Sequence, residues 1–284
     1  MARQQRVLIT GASRGVGAAT AKMFAKHGYH VVLSARNEAA LQKVKADIQA
    51  QGGSCEVQAA DLATRPAVRD LARRAGEIDV LINNAALTAG KYHSPLEEAD
   101  DYWDLNYAVS FFAPLILMQE LGRGMLKRKH GVVINISSMA ATRAVPLLAP
   151  YSVVKSALDA LSKSAGMDLA NTGIRVNGVA LGHVDTEAFA ENCVDGVTPQ
   201  DIAKRNAPIG RLITPDEIAG MCLYLASDIA APIVGTILTI DGGLTSGMYS
   251  FAGSFSDAER DPRAASQPKA AKQAGIHGDR NTDC

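Results

Sequence analysis

The chain has 284 residues, 47% of them apolar and 20% charged, which is the mix of an ordinary globular protein and excludes disordered and fibrous classes. Its 29 basic residues balance 29 acidic ones, so no charge surplus points to nucleic acid. The longest apolar run, 111–118, is about half of a membrane span, the N-terminus lacks the apolar stretch of a signal peptide, and Cys55, Cys193, Cys222 and Cys284 form no closely spaced pair; a cytoplasmic protein with free thiols and no bound metal is expected.

Taken in chain order, residues 6–10 read as a short apolar strand, and a helix over 17–26 follows a glycine-rich turn. A second strand over 29–35 leads to a helix over 38–50, where Leu41, Val44, Lys45 and Ile48 recur at helical spacing. Strand 54–60, helix 66–74 with Pro66 in its first turn, and strand 79–83 come next. Helical sequence fills 100–129, followed by strand 131–137, helix 151–170, strand 174–180, helix 215–227 and strand 236–240. Val- and Ile-rich strands separated by helices predict parallel pairing covered on both faces. Right-handed crossovers then give an α/β fold, a doubly wound seven-stranded sheet of Rossmann-like type, in one domain over 1–249. Residues 183–214 hold no strand and are too long for a simple connector. Residues 250–284 carry few large apolar side chains and predict a flexible tail.

Four motifs can carry chemistry. Thr10-Gly11-Ala12-Ser13-Arg14-Gly15-Val16-Gly17 directly follows the first strand. Glycines let backbone turn tightly beside a diphosphate, and the helix that follows offers free N–H groups to an anion. Asn83-Asn84-Ala85-Ala86 closes the fourth strand, where amides either cap the strand end or contact a ligand. Tyr151 and Lys155 are spaced to share one helical face, so an ammonium can lie near a phenol and favour its ionised form. Asn135-Ile136-Ser137-Ser138 ends the fifth strand, and either serine could hold a carbonyl oxygen beside that phenol.

The ordered set of these motifs resembles the short-chain dehydrogenase/reductase family over about residues 5–245. The runs 175–186 (RVNGVALGHVDT) and 208–243, with PIGRLITPDEIAG and GTILTIDGG, look most like its ketoacyl-reductase-like branch. The resemblance implies an enzyme that interconverts a ketone and a secondary alcohol by hydride transfer. It assigns Tyr151 as acid/base, Lys155 as its modulator and ribose ligand, Ser138 as the group orienting the substrate oxygen, and Asn106 as the holder of a relay water. For the cofactor it implies Gly11, Ser13, Arg14, Gly15, Val16 and Gly17 in the turn, Asp61 and Leu62 at the adenine, Asn84 and Ala85 as a wall, and Val184 and Thr186 at the carboxamide and diphosphate. The family is usually tetrameric through helices 100–129 and 151–170, so a homotetramer is expected. A non-catalytic NADP(H)-binding regulator, or an epimerase acting through a transient ketone, stays open as an alternative.

Cofactor choice rests on the end of the second strand, Leu33-Ser34-Ala35-Arg36-Asn37, which lacks the acid that holds a ribose 2′-hydroxyl. Arg36 and Arg14 could instead grip a 2′-phosphate, so NADP(H) is the expected cofactor. The chain departs from the family pattern at Ala86, usually glycine, at Leu181, usually proline, and at Val153-Val154 before Lys155. A lid is expected over about 186–211, with roughly balanced charges. His183 and His93 read as packing or solvent-facing residues. Met139, Ala140, Leu148 and Pro150 flank the reacting pair and predict a small-molecule carbonyl or alcohol substrate with apolar parts.

Overall fold

Seven strands line up in the order β3-β2-β1-β4-β5-β6-β7 and every neighbouring pair is parallel in the computed structural model. It describes residues 3–87, 93–193 and 196–246. The chain divides into the units Met1–Gly247 and Met248–Cys284, and the expected tail over 250–284 lies outside the described residues.

In chain order the elements are β1 (Arg6–Thr10), α1 (Gly15–Lys26), β2 (His30–Ser34), α2 (Glu38–Ala50), β3 (Ser54–Val57), α3 (Arg65–Ala75) and β4 (Val80–Asn83). The second half holds α4 (Asp100–Tyr107), α5 (Ala113–Arg128), β5 (Gly131–Ser138), α6 (Ala149–Leu169), β6 (Ile174–Leu181), α7 (Glu187–Ala190), α8 (Pro199–Asn206), α9 (Pro215–Ala226) and β7 (Ile237–Ile240). The pleat sorts the strand residues between two apolar layers. Val7, Ile9, Val31, Leu33, Val80 and Ile82 pack towards α1, α2 and α9. Leu8, Val32, Leu81 and Val133 pack towards α3, α5 and α6.

Three expectations are refined. The helical stretch 100–129 is not one helix: a wide π turn at Ala108–Phe112 separates α4 from α5. Pro114, in the first turn of α5, has no N–H for the Ser110 carbonyl, and its ring would collide with that oxygen in a regular turn. The third strand ends at Val57, three residues early, although Gln58 N and Ala60 N still donate to Leu33 O and Ala35 O at 2.9 and 3.1 Å. The region 183–214 contains α7 and α8, the latter opened by a capping box between Thr198 and Asp201. Among the described residues no helix is long and apolar enough to cross a membrane, and no His/Cys/Asp/Glu cluster suits a metal.

The turn after β1 depends on two close approaches. Gly11 has φ +65°, and a Cβ there would lie 2.8 Å from Asn84 Nδ2. A Cβ on Gly17 would lie 2.6 Å from the same nitrogen and closer still to the Gly11 carbonyl oxygen. The Gly17→Ala variant should therefore lose about 1–3 kcal/mol of stability, the usual cost of overpacking, read as a lower urea midpoint with an unchanged slope.

Candidate functional site

The carboxyl ends of β1, β4, β5 and β6 open into a crevice of about 900 Å³, as expected where strand order reverses in a doubly wound sheet. Its lining includes Gly11, Ser13, Arg14, Gly15, Val16, Arg36, Asp61, Leu62, Asn84, Ala85, Ser138, Tyr151, Lys155, Val184 and Thr186. Two expected site residues do not line it. Gly17 sits behind Gly11, where its role is to let backbone pass. Asn106 is fully buried at the end of α4; its Nδ2 donates to Tyr102 O at 3.0 Å, and its Oδ1 has no protein partner among the described residues.

At one end the crevice is built for an anion. The α1 N-terminus has no side-chain cap and no acid in its first turn, so its leading N–H groups and positive dipole end face the cleft. Asn84 locks the turn in place: its Nδ2 donates to Thr10 O and Gly11 O at 2.9 and 3.2 Å, while Asn84 N and Ala85 N both donate to Thr10 Oγ1 at 3.0 Å. Thr186 caps α7 through Phe189 N at 3.2 Å and packs over Gly15, where an added Cβ would lie 3.2 Å from its methyl. Asp61 turns its carboxylate to Ala63 N at 3.1 Å.

The two arginines are not equivalent. Arg36 is exposed and makes no ion pair among the described residues. Lys43, which also lines the cleft, is likewise exposed; sequence reading missed it, although Ala40 and Lys43 are one helical turn apart on α2, just after Arg36. Arg14 is engaged: its guanidinium donates to both oxygens of Glu191 at 2.6 and 3.1 Å, with Glu187 at 3.8 Å. The bond to Glu191 raises the Arg14 pKa and lowers that of Glu191. The turn and the segment after α7 are thereby tied together.

At the other end lies the phenol. Lys155 is 2% exposed, and its ammonium donates to Ile136 O at 2.7 Å while standing 5.7 Å from the centre of the Tyr151 ring. Burial lowers the Lys155 pKa to about 8, opposed by the Asp159 carboxylate one turn further on. Asp159 itself is raised by burial, with Ser137, Lys163 and Lys155 opposing. Sequence reading missed Asp159, although it repeats the Tyr151–Lys155 interval. Both serines line the crevice; the Ser138 hydroxyl acts on the phenol, lowering its pKa, whereas Ser137 is buried and acts on Asp159.

One expectation is corrected. Lys155 was expected to pull the Tyr151 pKa down, but the phenol is raised: burial is the larger effect, the neighbouring Tyr102 adds to it, and only the Ser138 hydroxyl opposes it. In the protein by itself Tyr151 is a protonated phenol at neutral pH. Such a group, converging with Ser138 at the mouth of a cleft, can donate a proton to an oxygen held between them.

The family model described as enoyl-(acyl carrier protein) reductase matches residues 11–245. Gluconate 5-dehydrogenase of Gluconobacter oxydans is 34% identical over 245 residues, covering 84% of this chain and 94% of that protein. A solved gluconate 5-dehydrogenase from Burkholderia cenocepacia, in complex with NADP and tartrate, is 32% identical, with TM-score 0.79 over 86% of this chain and 96% of that one. A variant of actinorhodin polyketide ketoreductase with NADPH is 30% identical, with TM-score 0.80 over 87% of this chain and 100% of that one.

The buried lysine gives a stability test. In the unfolded chain Lys155 keeps its proton up to its ordinary 10.5, but in the folded chain only up to about 8. Between those values the unfolded state binds more protons, so this residue makes stability rise with pH, by up to about 3 kcal/mol across the window. Urea unfolding of wild type and Lys155→Met from pH 7 to 10 should show the difference moving in favour of wild type; a constant difference would contradict the assignment.

Proposed function

Because the chain belongs to the short-chain dehydrogenase/reductase family and is thus an oxidoreductase working between CH–OH and C=O groups, we propose that it interconverts a ketone and a secondary alcohol with NADP(H), Tyr151 moving the proton. The observation that carries this reading is the convergence of Ser138 and the protonated Tyr151 phenol, backed by the buried Lys155 ammonium, at one end of a crevice whose other end is an uncapped helix N-terminus.

The residues present fit a dinucleotide. The first N–H groups of α1 would hold its diphosphate, Asp61 and Leu62 its adenine end, Asn84 and Ala85 its wall, and Val184 and Thr186 the carboxamide side. Arg36 and Lys43 would meet a 2′-phosphate, since no acid stands at the end of β2 to prefer a free ribose hydroxyl. Arg14 would join them only by leaving Glu191. When bound, NADP(H) supplies or accepts a hydride at its nicotinamide. In reduction, Ser138 and Tyr151 would hydrogen-bond the substrate oxygen, and Tyr151 would donate its proton to it. Lys155 would then stabilise the phenolate left behind and hold the ribose. Buried Asn106, with its unpartnered Oδ1, suits an acceptor in the path that restores the proton.

Leu87, Val109, Met139, Val145 and Leu148 line much of the remaining crevice and favour a medium-sized substrate with apolar parts. The reading extends to a cytoplasmic homotetramer; Leu126 on α5 and Met167 and Val153 on α6 are large apolar side chains left exposed on the helices that would pair.

The test is a panel of ketones and alcohols assayed with NADPH and NADH for wild type and Tyr151→Phe. Ketone-dependent NADPH oxidation by the wild type is expected, faster than with NADH. Removing the hydroxyl should cut turnover at least about a hundredfold, the lower range for a lost proton donor, while NADPH still binds. Full turnover by Tyr151→Phe, or no substrate for the wild type, would overturn the proposal.

A further inference from the structure

Arg14 is held by a carboxylate that the proposed reaction does not use. Backbone sets where Arg14 stands. Thr10 and Ser34 are register partners at the ends of β1 and β2, and Ala12 N donates to Ser34 O at 3.0 Å. The turn after β1 is thus stitched to the end of β2, two residues short of Arg36. Arg14 is the extended N-cap residue of α1, with φ −159° and ψ 173°, and its side chain makes no cap. Arg14 and Arg36 therefore line the crevice from neighbouring turns.

The partner of Arg14 comes from a distant part of the chain. Glu191 closes α7, with its N–H on Glu187 O at 2.8 Å. Its carboxylate takes both terminal nitrogens of the guanidinium: Nη1 donates to Oε1 at 2.6 Å and Nη2 to Oε2 at 3.1 Å. This is the parallel two-bond fork by which arginine also binds phosphate. Glu187, 3.8 Å from Nη1, adds a second negative charge on that side. A phosphate on the remaining edge of the guanidinium would stand beside these carboxylates, and like charges so close oppose each other. The cation can therefore serve the α7 segment or a phosphate, but not both. The two side chains are 46% and 58% exposed, so the pair is weak enough to exchange.

We infer that Glu191 is a cofactor-discriminating residue: its carboxylate and the 2′-phosphate of NADP(H) compete for the guanidinium of Arg14, and the phosphate binds by displacing it. This rests on the NADP(H) reading and adds a residue that acts on the cofactor only through Arg14. NADH, with a free ribose hydroxyl, leaves the pair intact. By linkage, the carboxylate that holds α7 against the turn lowers affinity for the phosphate by the same factor that the phosphate weakens the hold.

The experiment titrates NADPH and NADH into wild type, Glu191→Gln, Arg14→Gln and the double variant, with binding followed by the fluorescence of the reduced nicotinamide. Glu191→Gln should bind NADPH about three- to fivefold tighter than wild type, the worth of an exposed ion pair, and should bind NADH as wild type does. Arg14→Gln should weaken NADPH binding, and adding Glu191→Gln to it should change nothing further, because the carboxylate acts through the guanidinium. An equal gain in the Arg14→Gln background would mean simple repulsion of the phosphate and would overturn this inference. Weaker NADPH binding by Glu191→Gln, equal changes on both cofactors, or no change also overturn it, and these outcomes leave the NADP(H) reading standing. A wild type that binds no NADPH removes that reading, and this inference with it.

Discussion

The ammonium of Lys155 on the carbonyl of Ile136 is the contact around which the reactive end is arranged. It joins α6 to Ile136 near the end of β5, across 19 residues of chain, by one charge-assisted hydrogen bond of 2.7 Å. With that helix anchored to that strand, the phenol one turn before Lys155 must face Ser138, two residues beyond Ile136. The contact is made in a dry environment, and the lysine yields accordingly, towards the pH range in which it can lose its proton. A charge so placed is costly; in the proposed reaction it would stabilise the phenolate left when Tyr151 gives up its proton. Asp159 and Ser137 extend the polar seam beneath the site, and Asn83, Asn135 and Ser162 continue it through the sheet by amide–amide and amide–hydroxyl bonds of 2.8 Å each.

The opposite end of the crevice follows a different logic. There the work is done by backbone, and side chains are present mainly to hold that backbone still. Asn84 is the clearest case: its amide is spent on the carbonyls of Thr10 and Gly11, so the residue acts on a ligand through the shape of the turn. Gly11 and Gly17 exist because that amide needs room. Arg14 lines the cleft but is paired with Glu191, with Glu187 nearby, whereas Arg36 and Lys43 line it with no ion pair among the described residues. The segment from α7 to Glu191 is thus joined to the turn by an ion pair and to the end of β6 by an aromatic stack, His183 on Phe189.

Most of the fold was legible because each strand is short, apolar and followed by a helix, and the pleat needs only that alternation. Ends were misjudged where tertiary contacts intervene, as at Val57, or where one residue blocks a hydrogen bond, as Pro114 does to the helix over 100–129. The residues proposed to react were picked out by their spacing along α6 and at the end of β5, and Ser138, Tyr151 and Lys155 all line the crevice. What spacing could not supply is the balance of burial against charge. The interval from Tyr151 to Lys155 suggested a lowered phenol pKa, yet how deeply a side chain is enclosed depends on residues such as Tyr102, far away in sequence. Likewise nothing near Arg14 in the chain announces Glu191, 177 positions on.

The most direct measurement is an ultraviolet difference titration of the cofactor-free protein, wild type minus Tyr151→Phe, which isolates ionisation of the one phenol. Enclosure that outweighs the ammonium predicts that Tyr151 ionises only above pH 10.0, the ordinary value for tyrosine. A phenolate signal rising near neutral pH would contradict it, and would mean that Lys155, not burial, governs the group.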